Sequence, residues 1–267
     1  VVKTPELWTA YAGLLDSFGG RYLTAEDVGM SQADMDFLGS VTPHVTGRST
    51  AAGGSGDPSP LTAYGVVRAM EAAGQSLWGS PELKGRHVAI SGVGKVGGAL
   101  AVLCAERGAL LTIADVDRAA LGAAADAVRA AAGATASVEV AAPEAVHATP
   151  CDIFAPCALG GAIDRLSLGE LACQVICGAA NNQLAAPGLE DELAAAGIAY
   201  VPDYLANAGG IINISHEHGG YDPDAAREAV GRIFDTTLAV FAEARHNGEG
   251  LCAVADRLAE ERMAAAS

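Results

Sequence analysis

The chain has 267 residues, enough for two domains, and its 51% apolar and 18% charged residues describe a folded globular protein rather than a disordered one. Thirty-two acids against 16 bases leave a formal charge of −16 with no basic block, which excludes an electrostatic grip on nucleic-acid phosphates and points to small-molecule partners. The six cysteines, Cys104, Cys151, Cys157, Cys173, Cys177 and Cys252, lack CxxC spacing and lie among aliphatic residues, so they read as reduced core thiols of a cytoplasmic protein, without a metal.

The segment ELWTAYAGLLDSFGG has apolar residues every three to four positions and predicts a helix closed by Gly19-Gly20. It follows almost directly on Val1, and the sequence reads here as a piece cut from something longer. RYLTAEDVG predicts a short strand and a loop, and SQADMDFLGSV a short helix capped by Ser31. The glycines, serines and prolines of TGRSTAAGGSGDPSP mark a loop, and LTAYGVVRAMEAAGQSLWG reads as a helix; the domain junction falls in this region.

From Lys84 the pattern becomes strand, helix, strand, helix: RHVAISG, VGGALAVLCAERG, ALLTIADVD and RAALGAAADAVRAAAG. It continues through VEVA, CDIFAPCA, QVICGAA and IAYVPDY, which predicts a parallel sheet covered by helices on both faces. Two long amphipathic helices are expected from Asp224 to Ala266. No apolar run reaches the roughly 18 residues that a membrane helix requires.

Between the first such strand and its helix stands Gly92-Val93-Gly94-Lys95-Val96-Gly97, a GxGxxG turn. Such glycines permit a tight turn, close approach of a pyrophosphate and close packing of helix on strand. Asp115, 23 residues after Gly92 at the end of the second strand, is placed to accept hydrogen bonds from an adenosine ribose and to repel a 2'-phosphate. NAD is therefore the expected cofactor.

GGRYLTAEDVG, GGSGDPSPLTAYGV, the GVGKVG turn, CDIFAPCALGG, GAANNQL, YVPDYLANAGGIIN and ADRLAEERM together resemble the leucine/valine/phenylalanine branch of the amino-acid dehydrogenases, in order over nearly the whole chain. The fold expected is α/β: a Rossmann-like doubly wound NAD-binding domain over 61–223, plus an incomplete α/β catalytic domain over 1–60 closed by C-terminal helices from 224–267. The resemblance implies an enzyme that oxidises a branched-chain or other apolar L-amino acid to its 2-oxo acid and ammonia, reversibly, by hydride transfer to NAD. A homo-oligomer is expected as well.

Carried over residue by residue, the resemblance makes Asp27 the acid that shuttles protons at the amino group. It puts Ala25, Ile211 and Ile214 on the side-chain pocket wall and Asn182 against both nicotinamide and substrate. Isoleucine is larger than the valine frequent at such places, so the expectation leans toward a narrow, valine-sized pocket. Ser59 and Thr62 stand near the nicotinamide carboxamide, although Ser59 can equally cap a helix with Pro60 at its first position. Ala155, Pro156, Cys157, Asn181 and Asn207 complete the cofactor set, at carboxyl ends of strands where such sheets bind ligands. His216-Glu217-His218, lacking a third spaced ligand, reads as a polar loop rather than a metal site.

The family pairs the aspartate with lysines upstream, one in a GGGK segment. The three lysines here, Lys3, Lys84 and Lys95, stand outside any such motif. A piece of a longer dehydrogenase is the first reading of this. A non-catalytic NAD-binding module, or one completed in trans by another polypeptide, is the alternative.

Overall fold

The computed structural model describes residues 3–27, 29–133, 136–218 and 220–266. By contact density the chain divides into two units: one takes residues up to Leu61 together with Gly210–Val230, the other Thr62–Gly209 and the chain from Gly231 onward.

The smaller unit is built on α1 (Pro5–Ser17) and α2 (Gln32–Val41). Thr4 caps α1 and Pro5 opens it; at α2, Ser31 and Asp34 form a reciprocal capping box that satisfies two backbone donors at once. Ala12 and Leu15 of α1, Met35 and Leu38 of α2, and Val45 form its core, with Trp8, Tyr11 and Met30 packed alongside. Burial of an aliphatic side chain of this size stabilises by about 1.5–3 kcal/mol.

The strand expected in RYLTAEDVG is a single parallel bridge, Thr24 to Val45. Thr24 N–H donates to His44 O at 3.1 Å and Thr46 N–H to Thr24 O at 2.8 Å, and with only this neighbour the ladder extends no further. After a 3-10 turn at Thr50–Ala52 the chain enters α3 (Ser59–Trp78), which leads into the larger unit. Ser59 is the first helical residue rather than the cap: its N–H donates to Asp57 Oδ1 at 2.9 Å.

The larger unit holds a six-stranded sheet in the order β3-β2-β1-β4-β5-β6, parallel at every pairing. Its strands are β1 (His87–Ser91), β2 (Leu110–Ala114), β3 (Val138–Val140), β4 (Ile153–Pro156), β5 (Val175–Ile176) and β6 (Ala199–Tyr200). The helices between them are α4 (Lys95–Glu106), α5 (Arg118–Ala132), α6 (Arg165–Leu168) and α7 (Leu189–Ala195). All four residues of β4 are buried, as expected of a strand covered on both faces. Ala89, Phe154, Ile176, Leu193 and Tyr200 belong to one continuous core. The order reverses between β1 and β4, which places the ligand-binding switch point beyond Ser91 and Pro156, partners in register.

Two short helices that the sequence reading did not anticipate follow β6: α8 (Asp203–Ala206) and α9 (Gly209–Ser215). The C-terminal part is three helices rather than two: α10 (Pro223–Gly231), α11 (Ile233–Asn247) and α12 (Leu251–Ala266). The break falls after Gly231, a poor helix former whose carbonyl accepts a hydrogen bond from Arg68 Nε at 3.4 Å. Val240, Ala244, Val254 and Ala255 pack α11 against α12. The sequence reading returned residues 224–267 to the first domain, whereas contacts group the chain from Gly231 onward with the sheet. Among the described residues no helix is long and apolar enough to cross a membrane.

Candidate active site

The smaller unit contains a cavity of about 710 Å³ lined by Ala25, Asp27, Ile211 and Ile214. These four come from two segments almost 190 residues apart in sequence, and the fold brings them to one surface. Trp8, Tyr11, Met30 and Gly47 also line it. Sequence reasoning missed these; the signal was the spacing of Trp8 and Tyr11 on one face of α1, beside core residues Ala12 and Leu15. Tyr11 Oη and Thr24 Oγ1 share a hydrogen bond at 3.0 Å, which fixes the aromatic wall to the segment leading to Asp27.

Ile211 is 66% exposed, and an aliphatic side chain this open to a cavity offers an apolar surface to a ligand. The cavity's volume is in the range of small-molecule sites, and Ile211 and Ile214 are among its apolar walls. Lys3 is committed elsewhere, its ammonium pairing with Asp34 Oδ2 at 2.6 Å.

In the sheet unit the glycine turn follows β1 at the switch point. Gly92 has φ +93°, and a Cβ at Gly97 would stand 2.0 Å from Gly92 O, so neither position accepts a side chain without rebuilding the turn. Gly94 precedes α4 with no side-chain cap, and a Cβ there would meet nothing within 4 Å. The start of α4 is thus open on the Gly94 side, and the N-terminus of a helix is the kind of place that receives phosphate. Lys95 and Val96 are the first two residues of that helix.

Asp115 lies one residue beyond β2; its Oδ2 accepts from Val93 N–H at 2.7 Å and its Oδ1 from Asp117 N–H at 2.9 Å. These bonds tie the acid to the glycine turn and leave lone pairs for ribose hydroxyls. Glycine cradle, open helix start and acid together fit a bound NAD.

Cys157 follows β4, its N–H donating to Ser91 O at 2.7 Å, whereas Ala155 and Pro156 are buried within the strand. Burial pushes the Cys157 thiol up to about 12, which leaves it an inert wall rather than a nucleophile. Asn207 Nδ2 donates to Asn181 Oδ1 at 2.6 Å and to Ala179 O at 3.1 Å, joining two of the predicted amides. Asn182 is the one non-glycine residue with positive φ, 52°, among the described residues, a conformation asparagine tolerates better than most. Thr62 lies in the first turn of α3.

His216-Glu217-His218, expected as a polar loop, forms a turn after α9 in which the middle residue is buried. Glu217 is buried and accepts hydrogen bonds from Gly47 and Ser55, and His216 Nδ1 stands 2.9 Å from Ile212 O. Among the described residues no group of three or more His, Cys, Asp or Glu is placed to hold a metal ion.

A parallel sheet in this order, with a glycine turn and an acid after its second strand, defines a dinucleotide-binding protein. The family model of the glutamate/leucine/phenylalanine/valine dehydrogenases matches residues 53–221. Valine dehydrogenase of Streptomyces virginiae is 46% identical over 263 residues, covering 98% of this chain and 72% of that protein. Leucine dehydrogenase of Geobacillus stearothermophilus is 41% identical over 261 residues, 98% of this chain and 69% of that one. The crystal structure of L-tryptophan dehydrogenase from Nostoc punctiforme superposes with a TM-score of 0.83 at 37% identity, covering 97% of this chain and 72% of its own. The chain belongs to the glutamate/leucine/phenylalanine/valine dehydrogenase family.

Proposed function

We propose that this chain carries out the NAD-dependent oxidative deamination of a branched-chain or other apolar L-amino acid to its 2-oxo acid and ammonia, a reversible reaction. The observation that carries the reading is the convergence of Asp27 with Ala25, Ile211 and Ile214 on one cavity, in a chain whose other unit bears a dinucleotide cradle. The valine and leucine dehydrogenases to which it is similar support an aliphatic substrate.

In this reading NAD, when bound, supplies the hydride acceptor. Gly92, Gly94, Val96 and Gly97, with the N-terminus of α4, receive its pyrophosphate, and Asp115 its adenosine ribose. Ser59, Thr62, Asn181, Asn182 and Asn207 orient the nicotinamide amide, and Ala155, Pro156 and Cys157 shape the strand end beside it. Ala25, Ile211 and Ile214 hold the aliphatic side chain in an apolar surround that excludes water. Asp27 takes a proton from the substrate ammonium, so that a neutral amine reaches the oxidation step, and later returns one to the departing ammonia. A homo-oligomer in the cytoplasm belongs to the same reading. Six free thiols support the reducing compartment, and Leu14 and Phe18, exposed on and just after α1, offer an apolar contact surface.

The test is formation of NADH by the full-length protein with L-valine, L-leucine, L-phenylalanine and L-glutamate in turn. Aliphatic substrates should lead. Turnover of glutamate above that of valine and leucine would overturn the aliphatic assignment, and NAD binding without turnover of any amino acid would favour the non-catalytic module.

A further inference from the structure

Glu217 is the one buried charged side chain of the smaller unit among the described residues, 6% exposed. Its Oε1 accepts from Gly47 N–H at 3.0 Å, from Ser55 N–H at 2.8 Å and from the Ser55 hydroxyl at 2.5 Å. Its Oε2 is buried with no hydrogen-bond partner among the described residues. A buried carboxylate with one oxygen unsatisfied is a costly device for stability alone, because the desolvation of that oxygen is not repaid. What the three bonds hold in place accounts for it better.

Glu217 follows α9, and its N–H donates to Ile214 O at 3.1 Å, so the carboxylate is anchored to the turn that carries Ile214. At the other end, Gly47 lines the same cavity and lies against the residue before Asp27: a Cβ on Gly47, whose φ is +75°, would stand 3.3 Å from Glu26 N. The neighbouring Thr46 N–H donates to Thr24 O at 2.8 Å. One carboxylate thus joins the wall bearing Ile211 and Ile214 to the segment bearing Asp27.

We infer that Glu217 is a positioning residue, a clasp between the turn after α9 and the 47–55 loop that sets the separation of Asp27 from the aliphatic wall and so governs both rate and side-chain selectivity. The inference rests on the dehydrogenase reading above. It separates two substitutions of the same residue. Glu217→Gln keeps an acceptor for Gly47 and Ser55 while removing the charge; Glu217→Ala removes the clasp.

In the full-length protein, Glu217→Gln should keep kcat within about threefold of wild type. Glu217→Ala should lose about 10- to 100-fold in kcat, the scale of a misplaced reacting group, with a changed ratio of kcat/KM for L-valine over L-leucine and unaltered NAD affinity. Hydrogen exchange at the Glu26 and Asp27 amides reads the clasp without turnover and should quicken in Glu217→Ala only. Where Glu217→Ala fails to fold, Ser55→Ala, which removes the hydroxyl bond alone, should give the same pattern at smaller amplitude. Wild-type kcat, selectivity and exchange in the alanine variants would overturn the inference, as would equal loss in Glu217→Gln and Glu217→Ala. A wild type that oxidises no amino acid would count against the dehydrogenase reading, and the exchange rates would still decide for or against the clasp.

Discussion

In the sheet unit, parallel strands bury runs such as Val88-Ala89-Ile90 and Ile153-Phe154-Ala155, and consecutive strands are sheet neighbours everywhere except between β3 and β4, where the chain returns to pair β4 with β1. The smaller unit has only the bridge from Thr24 to Val45, a five-residue core between α1 and α2, and polar ties such as Glu217 to Ser55, 162 residues apart in sequence. Regular burial makes the first unit robust and repetitive. The second depends on a few long-range hydrogen bonds, and it is there that the proposed reacting carboxylate and the aliphatic wall are found.

That contrast predicts separable losses. The largest is expected for Asp27→Asn, which removes the proton carrier while keeping its shape: turnover should fall by about 10²- to 10⁴-fold with NAD affinity unchanged by fluorescence titration. A variant that lost cofactor binding as well would break the division of labour between the units. Next comes Gly97→Ala in the sheet unit, where a Cβ would stand 2.0 Å from Gly92 O. A destabilisation of about 1–3 kcal/mol in chemical denaturation, with weakened NAD binding, is expected from such overpacking.

Ile214→Val should enlarge the cavity by one methylene and move the valine-to-leucine ratio of kcat/KM toward leucine, by about tenfold at most. An unmoved ratio would take Ile214 off the pocket wall. The smallest effect concerns Asp34 of the α2 capping box. Its hydrogen bonds to the Lys3 ammonium and to Ser31 hold the carboxyl below the usual carboxylate range, so the folded state favours the ionised form. The resulting stability is present above the unfolded carboxylate pKa of about 3.9 and is lost as pH falls through the lower folded value. Lys3→Ala should therefore shift the acid-unfolding midpoint slightly upward, the partly exposed Lys3 ammonium keeping the shift small through solvent screening.

Much of the sheet unit was legible before any coordinates. Apolar strands alternating with helices, a GxGxxG turn and Asp115 at a fixed distance are local patterns, and parallel pairing with crossovers leaves few ways to arrange them. The errors lay where a local pattern met a distant partner. RYLTAEDVG has strand composition but finds one short neighbour, and the helix from Asp224 breaks after Gly231, whose carbonyl Arg68 captures from 163 residues away.

The His216-Glu217-His218 segment shows the same limit in the site itself. As text it is a polar run, and nothing within it announces that Glu217 is buried against Gly47 and Ser55. The sequence by itself determined the parallel sheet and the glycine turn, because periodicity and turn chemistry are written in adjacent residues, and its motif blocks carried the resemblance to the family. Only the tertiary structure decided that Trp8 and Tyr11 share a cavity with Asp27 and that Glu217 ties its walls together, because those contacts depend on segments that meet only once the chain has folded.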